Sequence, residues 1–299
     1  MWANTLKDKV ILSVVALTLC AVPVSSSAGD GWAQVRGPSS TVLVTYSRAE
    51  FCWQVYAEDL STGDIHRQNG SPEAVTWTKV GGPAKEFASD GTHLYGLSLG
   101  GTSIWRYTGS GTQWQQISGP MAHIYAGGGR LFATSSSTGD IYEYGGQPFA
   151  WTKIGTAGKT FAVDDEGVLY AISPNGDGVW RYGDAPSAWH QIGGPADQIY
   201  AGGSKLYATN PNTGNIYEYS GQAAVWKQVG GPGQMFAVDD EGHLFGLSMG
   251  GASVRLYKGT PMQWEQVGGA AGEIYAGGNR RLYATNPTTS DLWHRMFSY

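Results

Sequence analysis

The sequence predicts an all-β fold, a seven-bladed β-propeller of short four-stranded antiparallel blades, preceded by a signal peptide. Three observations predict it. One phrase opened by Trp returns seven times, three further β-like runs follow each return, and Gly and aromatic residues are both abundant. Of 299 residues 45 are Gly, 12 Trp and 17 Tyr, against 13 Pro. Collagen would need Gly at every third position with abundant Pro, and disorder would need few aromatics and a high net charge. The composition excludes both and leaves numerous short strands joined by tight turns.

Lys7 and Lys9 form a small cationic start, Val10 to Val24 an almost unbroken apolar stretch, and Ser26-Ser27-Ala28 a small-residue cleavage site. Residues 1–28 therefore read as a secretory signal, and the protein as secreted and extracellular. The apolar run is shorter than the ~20 residues of an ordinary span, and no later stretch is as apolar, so no membrane insertion is expected. A lipid anchor on Cys20 is disfavoured by the bulky Leu19 before it. Beyond the signal only Cys52 remains. No intramolecular disulfide can then form, and Cys52 reads as a buried structural thiol. Asn69-Gly70-Ser71 is a glycosylation sequon. The chain carries 19 basic and 24 acidic residues, a net charge of −5, with no basic block. Phosphate recognition needs clustered Lys and Arg, which sets nucleic acid aside as a partner.

Residues 29–299 are read as repeats opening at Trp32, Trp77, Trp114, Trp151, Trp189, Trp226 and Trp264, 45 residues apart at first and then 37 or 38. Trp77-Thr-Lys-Val-Gly-Gly-Pro83, Trp189-His-Gln-Ile-Gly-Gly-Pro195 and Trp226-Lys-Gln-Val-Gly-Gly-Pro232 are copies of one phrase. In the repeat of Trp189 the later runs are Gln198-Ile-Tyr-Ala201, Lys205-Leu-Tyr-Ala-Thr209 and Asn215-Ile-Tyr-Glu-Tyr219, separated by Gly/Ser and Asn/Pro/Gly turns. Four short alternating or β-branched runs make one antiparallel meander. Two flavours alternate, one with Phe161-Ala-Val-Asp-Asp-Glu-Gly167 or Phe236-Ala-Val-Asp-Asp-Glu-Gly242, the other with Ile-Tyr-Ala-Gly-Gly at Ile124, Ile199 and Ile274. The first repeat fits the second flavour once Val55-Tyr-Ala57 is laid on Leu206-Tyr-Ala208, with roughly eight extra residues around Ser47–Trp53.

A four-stranded sheet of this size cannot bury both faces alone, and radial stacking of seven hides them while leaving short edges. A β-solenoid is the competing repeat architecture, but its coils are shorter and its ends capped. If the Trp strand is the outer one of a blade, the strand at Trp32 completes the last sheet and closes the ring by hydrogen bonds. After the central aromatic of the third run, Arg106, Glu143, Arg181 and Glu218 alternate in sign. A ring of inter-blade ion pairs is expected there, each worth about 0–1 kcal/mol if exposed.

The series Trp-x-x-Ile/Val-Gly-Gly, Leu-Tyr-Ala or Leu-Phe-Gly, and Ile-Tyr-Glu-Tyr or Ile-Trp-Arg-Tyr, over all seven repeats, resembles the tectonin repeat and the Trp- and Gly-rich blades of tachylectin-2. Where tectonin strands carry Trp-Gly-Val-Asn, this chain has Leu206-Tyr-Ala-Thr-Asn210 or Leu244-Phe-Gly-Leu-Ser248. The resemblance implies a secreted carbohydrate-binding propeller, a lectin of cell-surface or cell-wall glycans with several similar sites.

A sugar site needs an aromatic face for the apolar side of the ring and a few polar groups for its hydroxyls. Trp105, Trp180 and Trp293, with Tyr142 and Tyr217, hold matching positions on the third run. Asn175, Asn210 and Asn286, with Asp59, sit at the turn leading into it. These aromatic and Asn residues are the expected carbohydrate contacts. The opening Trp residues are expected to pack within and between blades. No cofactor or metal is expected. The six His lack ligand spacing. Asp164-Asp-Glu-Gly167 and Asp239-Asp-Glu-Gly242 read as hairpin turns, with calcium binding a lesser alternative. No nucleophile elbow is visible, so no enzymatic activity is expected. The alternative readings are an extracellular propeller that docks a protein, and a glycan-processing enzyme.

Overall fold

The computed structural model describes residues 31–47, 52–70, 75–183, 188–278 and 281–297. The expected signal at 1–28, Ser71 of the sequon and the Cys52 side chain lie outside the described residues. Two strands, Trp32–Ser47 and Trp226–Val238, are long enough to serve two sheets each. With each counted in both sheets, the strands form seven four-stranded antiparallel blades. Blade 4 is typical: Thr160–Val163, Leu169–Ile172, Val179–Tyr182 and Trp189–Gly193, here strands a to d from the centre outwards. Strand d opens with Trp77 in blade 1, Trp114, Trp151, Trp189, Trp226 and Trp264 in blades 2 to 6, and Trp32 in blade 7. The a strands are neighbours all round the ring and line a central channel.

The repeated Trp phrase explains how one blade holds the next. In blade 5, Ile216 pairs with Gly230 and Tyr217 with Gln228, which leaves Val229 as the extra residue of a β-bulge. The same bulge leaves Val80, Ile154, Ile192 and Val267 unpaired in blades 1, 3, 4 and 6. A bulged residue drops out of the ladder, so its carbonyl is free to accept from elsewhere. The donor is the indole of the following blade. Trp114 Nε1 donates to Val80 O at 2.7 Å, Trp189 to Ile154 O at 2.8 Å, Trp226 to Ile192 O at 2.8 Å and Trp264 to Val229 O at 2.9 Å. Trp151 reaches Ile117 O at 3.0 Å, Trp77 reaches Val35 O at 2.9 Å and Trp32 reaches Val267 O at 2.9 Å, so the set closes on itself.

The Gly after the bulge makes room for that indole. A Cβ at Gly193 would stand 2.8 Å from Trp226 Nε1, and one at Gly155 2.7 Å from Trp189 Nε1. On the ring's other face the last residue of strand c packs on the same Trp, Tyr182 on Trp189 at 5.2 Å and Tyr219 on Trp226 at 5.1 Å between centroids.

The ring closes by hydrogen bonds, as the Trp32 strand suggested: Trp32–Pro38 pairs with Asp291–Arg295 in the last blade. The extra residues of the first repeat prolong its a–b hairpin, where Tyr46 pairs with Trp53 and Ser47 with Cys52. The two flavours meet as partners, Tyr125 of blade 3 on Phe161 of blade 4 at 5.3 Å and Tyr200 on Phe236 at 5.6 Å. Seven is odd, so two blades of one flavour must adjoin, and these are blades 7 and 1. There Val42 holds the place of Phe161, each opposite an Ala (Ala57 and Ala171), and the Tyr275 hydroxyl donates to Ser40 O at 2.7 Å.

The expected ring of inter-blade ion pairs is corrected by the structure. Glu143 pairs inside its own blade with Arg130 at 2.8 Å, and Glu218 likewise with Lys205. Arg106 donates to Gln115 of its own blade at 2.9 Å, and Arg181 lies opposite Tyr170. The adjacent strand b brings a cation to these carboxylates within the blade. Other groups cross the blades: Lys159 pairs with Asp197 at 2.7 Å, His123 Nδ1 meets Glu86 Oε1, and the Arg130 guanidinium donates to Gly167 O at 2.8 Å and lies 5.7 Å from the Tyr182 ring.

Gly193→Ala should cost about 1–3 kcal/mol by forcing the Trp226 indole from its seat. Gly194→Ala, where a Cβ meets nothing within 4 Å, should stay within about 0.5 kcal/mol of the parent. Denaturant unfolding of the two variants checks the difference; equal stabilities would contradict this role for the indole seat.

Candidate functional site

Between successive blades, where strand d hands over to the next strand a, the Gly-Gly-Pro linker leaves a hollow. No heavy atom stands within 4 Å of a Cβ built on Gly82, Gly194, Gly231 or Gly269. In blade 5 the groove is bounded by Gly193–Ala196, Ala208–Asn210, Tyr217 and Trp226, with a volume of about 170 Å³. In blade 4 it is bounded by Thr156–Gly158, Ala171–Pro174, Trp180 and Trp189, at about 270 Å³. In blade 7 the walls are Gly269–Ala271, Ala284–Asn286, Trp293 and Trp32, at about 220 Å³. Blade 6 repeats the arrangement with Arg255 in the aromatic's place, at about 170 Å³. These volumes fall below the roughly 300–1,000 Å³ of drug-sized ligand sites and suit one small ring.

The structure thus brings together Trp180, Tyr217 and Trp293, half-buried, with Asn210 and Asn286 in the grooves of their blades. Trp105 and Tyr142 hold the same register in blades 2 and 3, opposite Gln116 and Lys153. The Trp105 indole donates to Ser103 Oγ at 2.8 Å. Asn210 Oδ1 accepts the Asn212 and Thr213 amides, each at 3.0 Å, and Asn286 Oδ1 accepts those of Thr288 and Thr289. Each Asn therefore shapes its turn with the oxygen, and its amide donors are not used in that turn. Asn175 is not brought into this set. Ser173 takes the position of Asn210 in blade 4, and Asn175 is exposed beyond it at the turn.

A groove wall and a neighbour of the groove aromatic were not among the expected contacts. The d-strand Trp forms a wall of the groove as well as a bond between blades. The residue two places after it lies directly opposite the c-strand aromatic: Gln116 on Trp105, Gln191 on Trp180, Gln228 on Tyr217 and Gln34 on Trp293. Gln191 Nε2 donates to Gly193 O at 3.1 Å and Gln228 Nε2 to Gly230 O at 3.3 Å, and Gln228 Oε1 accepts the Tyr217 hydroxyl at 3.4 Å. The recurrence of Trp-x-Gln in the sequence is the signal that could have found them.

Blade 1 is the exception. Arg36 stands where most other blades have the Gly after the bulge. Its Nη2 donates to Asp59 Oδ2 at 3.2 Å and lies 3.1 Å from His66 Nδ1, and the guanidinium is 5.0 Å from the Trp77 ring. The polar groups of that groove bind one another.

A cavity of about 450 Å³ occupies the central channel, where Asp90, Asp165, Glu166 and Asp240 meet Trp53 of the prolonged hairpin. The carboxylates come from the a–b turns of blades 2, 4 and 6, so the repeat itself supplies them. The first Asp of each Asp-Asp-Glu-Gly turn is structural. Asp164 and Asp239 are 2% and 1% exposed, and the Oδ1 of each accepts two amides of its own turn. Asp165 Oδ2 accepts the Gly203 amide of the next blade at 2.7 Å. Among the described residues no group of three or more His, Cys, Asp or Glu could hold a metal ion. No helix among them is long and apolar enough to cross a membrane.

No protein-family model matches the sequence, and no curated protein matches it. Solved structures do. YCF48 bound to D1 peptide superposes with a TM-score of 0.62 at 13% identity, over 93% of this chain and 100% of the other. Streptogramin B lyase gives 0.61 at 10% identity, over 88% and 96%. The extracellular domain of BT4673 from B. thetaiotaomicron gives 0.59 at 11% identity over 90% of this chain, which spans 40% of that longer one. The likeness is one of fold, the β-propeller.

Asp240 gives the central channel a measurable signature. Burial, then the Asp239 and Asp165 carboxylates, push its pKa up to about 7. A carboxyl with a folded pKa above its unfolded value holds its proton more tightly in the fold. Its contribution to stability is full below about pH 4 and is lost as pH rises through about 7. Asp240→Asn should raise the thermal midpoint by a few degrees at pH 8 and leave it unchanged at pH 4. Equal midpoints at pH 8 would contradict this.

Proposed function

We propose that the protein is a secreted, tectonin-like lectin that binds cell-surface or cell-wall glycans non-covalently in several inter-blade grooves. The observation that carries this reading is the recurrence of one constellation at equivalent places. A c-strand aromatic, the d-strand indole and a polar turn residue surround a hollow that suits one ring, with a Gln opposite the aromatic in the strand pairing. An aromatic wall takes the apolar face of a pyranose while the Gln oxygen and Asn amide address its hydroxyls. Single sites of this depth bind weakly. Several on one rigid ring raise apparent avidity by about 10²–10⁴ on a surface that presents many copies. The cationic start and apolar run at residues 1–28 support export. Of the channel carboxylates, Asp90 and Asp165 are turn residues that accept neighbouring amides, which supports a structural role for them.

A second reading has its own observation. The tip of the b–c turn, on the face that carries the grooves, is Leu60, Leu99 or Met249 in three blades, and these are 52%, 64% and 64% exposed. Pro174, Pro211 and Pro287 hold that position in three others. An apolar collar of this kind would suit a protein partner.

A glycan array probed with the purified protein separates the two readings. The lectin reading expects binding that free sugar competes, and a flat array favours the protein partner. Trp105→Ala combined with Trp180→Ala should lower array binding about tenfold or more while the thermal midpoint shows a folded ring. Unchanged binding would show that these aromatics are not the sugar platform.

A further inference from the structure

The seven grooves are not equivalent in charge. In blade 6 the c-strand position that is Trp105, Trp180 or Tyr217 elsewhere is Arg255, which lies opposite Gln266 in the same register. Arg255 is exposed and lines the groove with Pro232, Phe236, Leu247, Ser248 and Trp264, none of them acidic. Its Nε donates to Ser253 Oγ at 3.3 Å, a long bond, and the two Nη groups have no carboxylate among the described residues. Groove cations elsewhere are neutralised. Arg36 pairs with Asp59 at 3.2 Å, Lys79 with Asp64 at 2.7 Å and Lys153 with Asp140 at 2.7 Å. Ser253 and Ser248 leave blade 6 without the acid that blades 1 and 3 supply, so the cation is uncompensated where a ligand would sit.

The geometry points to the blade 6 groove as a subsite for a saccharide ring that bears an anionic group, a carboxylate or a sulfate ester. This rests on the glycan reading and deepens it. Trp264 and Phe236 provide the apolar wall, Gln266 and Ser248 face the hydroxyls, and the Arg255 fork takes two oxygens of the anion side by side. The grooves of blades 4, 5 and 7, with an aromatic in that place, have no such group and favour neutral rings. Binding is then heterogeneous by design of the sequence: one frame carries an aromatic row for neutral sugars and one position for charge.

The test uses methyl glucuronide, glucose 6-sulfate, methyl glucoside and inorganic sulfate as probes of the purified protein, followed by NMR titration. The glucuronide and the sulfated sugar tell the two anion sources apart. Arg255→Gln should lower the ratio of anionic to neutral sugar affinity about tenfold, whereas Arg106→Gln, outside the groove, should leave that ratio unchanged. An unchanged ratio in Arg255→Gln overturns the assignment. So does inorganic sulfate that perturbs Trp264 as strongly as the sulfated sugar, since that makes the groove a bare anion site. If methyl glucoside and the array's neutral glycans fail to bind while the anionic sugars bind through Arg255, the neutral-lectin reading fails and this subsite stands.

Discussion

The molecule is organised by one hydrogen bond made seven times, from a Trp indole to the carbonyl of a bulged residue in the preceding blade. Each part of the repeated phrase serves it. The β-branched residue at the bulge buries its side chain and turns its carbonyl out of the ladder. The Gly beside it admits the indole, and the Tyr at the end of strand c packs on the same ring. Because Trp32 donates to Val267 and Trp77 donates to Val35, the same bond also holds the chain's two ends in the ring. The grooves are a consequence of this joint. Where the bulge and the small linker leave space beside a fixed indole, a hollow appears, as in blades 4 to 7, so the proposed binding sites follow from the way the blades are fastened.

That dependence separates constant from variable positions. The Trp and its bond to the preceding blade recur in every blade, and the Gly in all but two, where Arg36 and Ser118 take its place. The c-strand residue opposite the Trp+2 position varies: aromatic in most blades, Arg255 in blade 6, His66 in blade 1. Blade 1 is further altered by Arg36, which ties Asp59 and His66 to itself. The odd blade count adds another asymmetry. Two flavours that pair as Tyr on Phe cannot alternate around seven, and the mismatch lies where the ends meet and the prolonged hairpin brings Trp53 to the channel.

Much of this was legible in the sequence. The count of seven, the strand at Trp32 and the extra length around Ser47–Trp53 follow from spacing, because each repeat is a unit of local pairing. The aromatic row was legible for the same reason. The partners of Glu143 and Glu218 were not. Sign alternation is visible along the chain, but the distance to Arg130 or Lys205 on strand b is a property of the sheet. Gln191 and Gln228 were passed over because their value lies in cross-strand position, opposite Trp180 and Tyr217. Asn175 and Asn210 look alike as turn residues, yet a two-residue offset puts Ser173 at the groove and Asn175 in solvent. Closure of the blade 1 groove depends on one Arg in place of Gly, a change whose effect is set by the three residues it meets in space.

If one chain binds many times through like grooves, its stoichiometry with a sugar shows it. Native mass spectrometry of the purified protein, with the neutral oligosaccharide that binds most strongly on the array, reports how many molecules one chain holds at saturation. Several are expected, filling in steps of similar affinity. Saturation at a single molecule, especially one still bound by the Trp105→Ala and Trp180→Ala double variant, would contradict it and move the function to the central channel.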